Sequence, residues 1–259
     1  MIKLIALITM LIDHVSRAFL LNSLSRSVVY VGFLANLIGR FAMPFFAFCI
    51  ARSFDHYSKN GNVKKYFRNI AVFALISQYP FWLFCEVCVN QDKQVDFFNF
   101  MNVVINSKYG LNIGFTWLCS LVLLWAVDNL NLNLNKHNLF RILCVIAIIL
   151  VSIFVNMDYG IYGVLLVFGF YLCWFKFNNL FMLLLFNLLN YAVYCLQNKG
   201  ILFYCDAQSI LVVFAVFFVI YLQKTNLYFR LPKGIFYVFY PLHFLLMVLI
   251  KYGFLYNVF

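Results

Sequence analysis

Long apolar runs separated by short polar connections make up nearly the whole chain. About nine runs approach the ~20 residues that a helix needs to span the hydrocarbon core. They centre near residues 12, 40, 77, 120, 147, 167, 187, 214 and 246. The pattern predicts an all-α fold, a polytopic transmembrane helix bundle of about nine spans, within a range of roughly eight to ten. The range reflects NMDYGIYG (156–163) and FKFNNLF (175–181), which leave room only for short turns. NLNLNLN (129–135) alternates like a strand, but its place between two apolar runs predicts a polar connection. No polar window is long enough for a soluble domain, so residues 1–259 are expected to form a single integral membrane domain.

Composition supports the same class. The chain is 66% hydrophobic and 10% charged, far from the even apolar share and quarter charged share of soluble domains. A net charge of +11 could signal nucleic acid. The basic residues, however, are scattered among short connections between apolar runs, where membrane orientation accounts for them. No nucleic-acid partner is expected, and the lipid bilayer is the default one. Counted by connection, Arg52, Lys59, Lys64, Lys65, Arg68, Lys136, Arg141, Lys176, Lys224, Arg230 and Lys233 fall on one side. Only Arg26, Lys93, Lys108 and Lys199 fall on the other, together with Glu86, Asp92, Asp96, Asp158 and Asp206. The positive-inside rule then puts the N-terminus in the cytoplasm. The opening MIKLIALITML resembles a signal peptide, but Asp13, His14 and Arg17 interrupt it before any small-residue cleavage site, and it reads as a retained first helix. Eight cysteines lie mostly within apolar runs, where Cys serves as a small hydrophobe. The one C-x-x-C, Cys85 to Cys88, has no second pair, and no metal site is expected.

The exceptions to apolarity carry the chemistry. Asp13, His14 and Arg17 are spaced to share one helix face, with Arg17 at i,i+4 from Asp13. At 1.5 Å per residue, His14 lies ~18 Å along the first helix, near the membrane midplane. Arg40, expected in the middle of the second span, and His243, in the last, fall at comparable depth. A charged group at a helix centre costs ~2.5 to 3.5 kcal/mol on insertion scales, so these side chains are expected to face the bundle interior and find partners. Pro44 is expected to kink the second span. Ser77 and Gln78, ahead of Pro80, are expected to knit helices together. His56 and His137 belong to basic connections and are expected to be solvated. KNGNVKKYFR (59–68) can serve orientation, headgroup contact or a phosphate-rich donor.

In chain order, MLIDHVSRAF (10–19), IGRFAMPFFAF (38–48), KYFRNIAVFALISQYPF (65–81), LNIGFTWL (111–118), DYGIYGVLL (158–166) and FYVFYPLHFLL (236–246) resemble the TraX family of conjugative-pilus proteins. That family is itself similar to the acyltransferase-3 superfamily of integral membrane acyltransferases. The resemblance implies a bacterial inner-membrane acetyltransferase that moves an acetyl group from acetyl-CoA to the N-terminal amine of pilin or a similar acceptor protein. It implies His14 as general base, Asp13 as its support, Arg17 and Arg40 at the thioester carbonyl or its oxyanion, and His243 as a second proton carrier or a donor to the acceptor group. Lys64, Lys65 and Arg68 would then meet the CoA phosphates. The alternatives are O-acetylation of a cell-surface glycan, a proton-coupled carrier that uses the polar groups as a relay, and a pilus-assembly scaffold.

Overall fold

The computed structural model describes residues 1–89, 110–128, 136–197, 214–222, 232 and 234–255. Among these the chain is helical throughout, with no strand and a single backbone bridge between Leu111 and Met157. The helices are α1 (Ile2–Val15), α2 (Arg26–Gly39), α3 (Ala42–Lys59), α4 (Val63–Phe84), α5 (Ile113–Asp128), α6 (Lys136–Phe154), α7 (Gly160–Gly169), α8 (Leu180–Gln197), α9 (214–222) and α10 (Ile235–Leu255). Wider, π-type turns extend α1 over Ser16–Leu20, α4 over Cys85–Val89 and α7 over Phe170–Lys176. NLNLNLN and the charged residues Asp92, Lys93, Asp96, Lys108, Lys199, Asp206, Lys224, Arg230 and Lys233 lie outside the described residues.

Four stretches are long and apolar enough to cross a membrane: Arg26–Lys59, Val63–Val89, Lys136–Phe154 and Ile235–Gly253. Ile113–Asp128, Gly160–Lys176 and Leu180–Asn190 are apolar but shorter. By length and composition, the described residues therefore give four candidate spans, short of the expected nine. The run centred on residue 40 differs most from expectation. It is two helices, with Arg40 and Phe41 in the turn between α2 and α3. Pro44 is the third residue of α3, where its missing N–H would have had no helical partner. It helps start a helix there instead of kinking one, and Arg40 sits at a junction instead of mid-helix.

Several helices are polar inside and apolar outside, the reverse of a soluble helix. Along α6 the buried residues are Asn138 and Ser152, while Leu139, Phe140, Leu143, Ile146 and Leu150 are exposed. On α2 the buried residues are Gly32, Asn36 and Gly39, and Tyr30, Val31, Phe33, Leu34 and Ile38 face out. In lipid, exposed apolar side chains cost nothing and polar or small residues make the contacts between helices. The apolar helices associate with a bilayer.

The chain forms two compact units. The first comprises Met1–Phe45, Leu75–Tyr109 and Ile210–Phe259. In it α1 packs on α2 through small residues. Ser16 Oγ donates to the Gly32 carbonyl at 2.6 Å, and a Cβ on Gly39 would overlap that of Asp13. In α10, Lys251 Nζ reaches the Ala18 carbonyl in the π-turn after α1, at 2.9 Å. A π-turn leaves carbonyls poorly matched to the α-helical ladder, and the lysine satisfies one of them.

The second unit comprises Phe46–Ala74 and Gly110–Ser209. Its core is aromatic. The Trp117 ring stacks on Phe73 at 5.6 Å and tilts against Phe46, and Phe54 meets Tyr171 edge-on. Asn112 caps α5, its side-chain oxygen accepting from the Gly114 N–H at 2.8 Å, while its amide donates to the Ala74 carbonyl.

Candidate functional site

The site is built entirely within the first unit, from α1, α2, the end of α4 and α10. On α1, the buried positions Ala6, Thr9, Met10, Asp13 and Ser16 recur at helical spacing, so residue 14 lies beside the packed face and 17 one turn beyond 13. Asp13 is 5% exposed. Arg17 Nε pairs with Asp13 Oδ2 at 3.1 Å, the i,i+4 contact that the spacing predicts. The other carboxylate oxygen accepts from Asn36 Nδ2 at 2.7 Å. Asn36 Oδ1 in turn accepts from Arg40 Nη2 at 3.1 Å. Arg17, Asp13, Asn36 and Arg40 thus form one continuous chain of hydrogen bonds and charge between α1 and the end of α2. A carboxylate held by a guanidinium and an amide is satisfied on both oxygens, which is what permits its burial.

His14 turns away from that chain. Its carboxylate neighbour makes no hydrogen bond to it among the described residues. Instead, His14 Nδ1 lies 2.8 Å from His243 Nε2. The two rings are 5.0 Å apart between centroids and within 20° of parallel. His243, 5% exposed, also places Nδ1 3.0 Å from the Phe239 carbonyl one turn back on α10. Aromatic rings enclose the pair. Phe244 sits 4.7 Å from His14 and 4.2 Å from His243, Phe84 of α4 sits 5.4 Å from His14, and Phe239 and Tyr240 flank His243.

The first and last helices therefore bring their imidazoles into direct contact, next to a cluster containing two guanidinium groups. Such an arrangement can take up a proton, hold the resulting charge against aromatic faces and present positive groups to a developing anion. Asn36 is the member of the site that inspection of the sequence passes over. Its signal was available: Asn36 precedes Arg40 by one helical turn and shares the face of Gly32 and Gly39.

The remaining candidates lie elsewhere. Lys64, Lys65 and Arg68 are exposed on the first turns of α4 and belong to the second unit. His56 and His137 are exposed. Ser77 is fully buried on α4, and its hydroxyl makes no hydrogen bond. Cys85 and Cys88 are buried, and neither is in a disulfide. Among the described residues no group of three His, Cys, Asp or Glu could hold a metal ion.

One family model matches the chain over residues 1–251, that of the TraX protein. No curated protein and no solved structure matches it.

Proposed function

The chain belongs to the TraX family, and from that premise we propose that it is a membrane-embedded acetyltransferase moving the acetyl group of acetyl-CoA to the N-terminal amine of pilin or a similar acceptor. Family membership suggests a role in F-pilin processing or conjugation. The observation that carries the chemical reading is the contact between His14 and His243 at 2.8 Å. Two imidazoles from opposite ends of a chain, His14 half-buried and His243 buried, both against phenylalanines, are costly to assemble for packing alone. An imidazole with a lone pair free to accept a proton is what amine acylation needs.

In this reading the amine nitrogen attacks the thioester carbonyl carbon. The new C–N bond forms, the C–S bond breaks, and His14 takes the proton from the nitrogen and returns it to the departing sulfur. The products are the acetylated amine and free CoA thiol. Arg17 and Arg40 stabilise the oxyanion that appears on the carbonyl, a contribution that grows in a dry site. Asp13 acts on the guanidinium groups, fixing Arg17 directly and Arg40 through Asn36. The CoA phosphates meet Lys64, Lys65 and Arg68. Cations on the first turn of a helix work against its dipole, so their placement there favours an anionic partner over helix stability. The protein resides in the bacterial inner membrane with its N-terminus in the cytoplasm, where acetyl-CoA is supplied.

Intact-mass analysis of pilin from cells with and without this protein tests the reading. An acetyl increment present only with the protein is expected. An N-terminus equally acetylated, or equally free, in both strains would overturn it.

A further inference from the structure

His14 and His243 offer four ring nitrogens, and the contacts of three of them fix where the hydrogens lie. His243 Nδ1 is 3.0 Å from the Phe239 carbonyl. A carbonyl oxygen can only accept, so this nitrogen carries the hydrogen. In a neutral ring the other nitrogen, Nε2, is then bare. That bare Nε2 faces His14 Nδ1 at 2.8 Å, and a bond between them requires the hydrogen on His14 Nδ1. His14 Nε2 is left with the lone pair, and no described residue hydrogen-bonds to it.

Ring positions support an in-plane bond over face-to-face stacking. A ring nitrogen lies about 1.1 Å from its centroid, so a straight N–H···N contact of this length puts the centroids about 5 Å apart. They are 5.0 Å apart, with the rings 20° from parallel. Face-stacked rings at the same tilt would bring carbon and nitrogen atoms of both rings together instead of one nitrogen pair.

We propose that His243 is a positioning residue that holds His14 as the Nδ1–H tautomer, so that His14 Nε2 is the basic nitrogen of the site. The ordinary preference of a free imidazole for the Nε2–H form is reversed by a hydrogen-bond chain that starts at a backbone carbonyl. His243 occupies the place that a carboxylate fills in most nucleophile–base–orienter sets. Both of its nitrogens are engaged, so it neither reaches the acceptor nor delivers a proton to it. This differs from the second-carrier role that the family resemblance implies. When His14 takes up a proton, the Nδ1–H bond to His243 strengthens, and the rings of Phe244 and Phe84 lie 4.7 and 5.4 Å from the charged ring.

The tautomer follows from geometry alone, and its consequence for catalysis rests on the acetyl-transfer reading, so the test separates the two. The full chain carrying 15N-histidine, in lipid nanodiscs, is compared with a His14→Gln variant to identify the His14 resonances. A protonated Nδ1 and an unprotonated Nε2 on His14 are expected, with a return to the Nε2–H form in His243→Ala. A wild-type spectrum with Nε2 protonated and Nδ1 bare would overturn the proposal. In acetyl-transfer assays His243→Gln, whose amide oxygen can stand where Nε2 stood, is expected to keep activity within about tenfold of wild type. His243→Ala is expected to lose about a hundredfold or more. Equal losses in the two variants would count against a positioning role. The expected spectrum without any transfer by the wild type would leave the tautomer standing and remove the acetyl-transfer reading.

Discussion

Among the described residues, each unit of the molecule holds a carboxylate tied to a cation and to a neutral donor from another element. In the first, Asp13 is held by Arg17 and by Asn36. In the second, Asp128 at the end of α5 is held by Lys176 Nζ at 2.6 Å and by Ser58 Oγ at 3.0 Å. At the level of the carboxylate the two centres are alike, and each closes a packing contact between helices. They differ in what lies beyond. The Asp128 set ends at a lysine whose side chain is 43% exposed, so water already serves it. The Asp13 set continues through Asn36 to Arg40, and the residue after Asp13 bonds to an imidazole from the last helix. An ion pair inside a membrane protein thus reports helix packing. The imidazole pair beside it is what distinguishes a candidate reaction centre from a structural pin.

That distinction can be broken by substitution, starting where the largest effect is expected. His14→Ala should reduce acetyl transfer by about 10²- to 10⁴-fold, the usual worth of a general base, without reducing the amount of protein in the membrane; a steady-state assay and an immunoblot check this. Gly39→Val should come next. Its side chain overlaps Asp13 and must push α2 off α1, at a cost of about 1–3 kcal/mol, read as earlier thermal unfolding in detergent together with lost transfer. Asn36→Leu keeps the volume but removes the link between Asp13 and Arg40. Leaving buried polar groups unsatisfied costs about 1–3 kcal/mol, and transfer should fall more than in a Gln variant of an exposed residue given no part in the reaction, such as Lys136. Asp128→Asn, by contrast, should cost only about 0–1 kcal/mol, because its cation is solvated, and should leave transfer within about twofold. Ser152→Ala should be the mildest. Its hydroxyl bonds within its own helix, to the Ile148 carbonyl at 2.6 Å, so unfolding should shift by less than about 0.5 kcal/mol.

The sequence made His14, Arg17 and His243 conspicuous because an ionisable group in an apolar run is costly and stands out against it. The Asp13 to Arg17 pair was legible from spacing alone. Arg40 was legible as a residue but not as a location. Gly39 before it and Pro44 after it are, respectively, a helix end and a first-turn proline, and both fit one bent helix as well as two separate ones. Asn36 was hidden because asparagine is common at contacts between membrane helices and carries no charge to betray it. Lys251 was hidden for a different reason: its partner is the Ala18 carbonyl, which is freed only by a π-turn that no residue pattern announces. The bond from His243 to Phe239 could not be read at all, since a backbone carbonyl is present at every position, and only the fold decides which one meets a ring nitrogen.

The most direct test places purified protein in nanodiscs with acetyl-CoA and a peptide bearing a free N-terminal amine, and follows the peptide by intact mass for the wild type and for His14→Ala. An acetyl increment that grows with wild-type protein and is absent with His14→Ala is predicted. The same increment at the same rate from both proteins would contradict the assignment of proton transfer to His14.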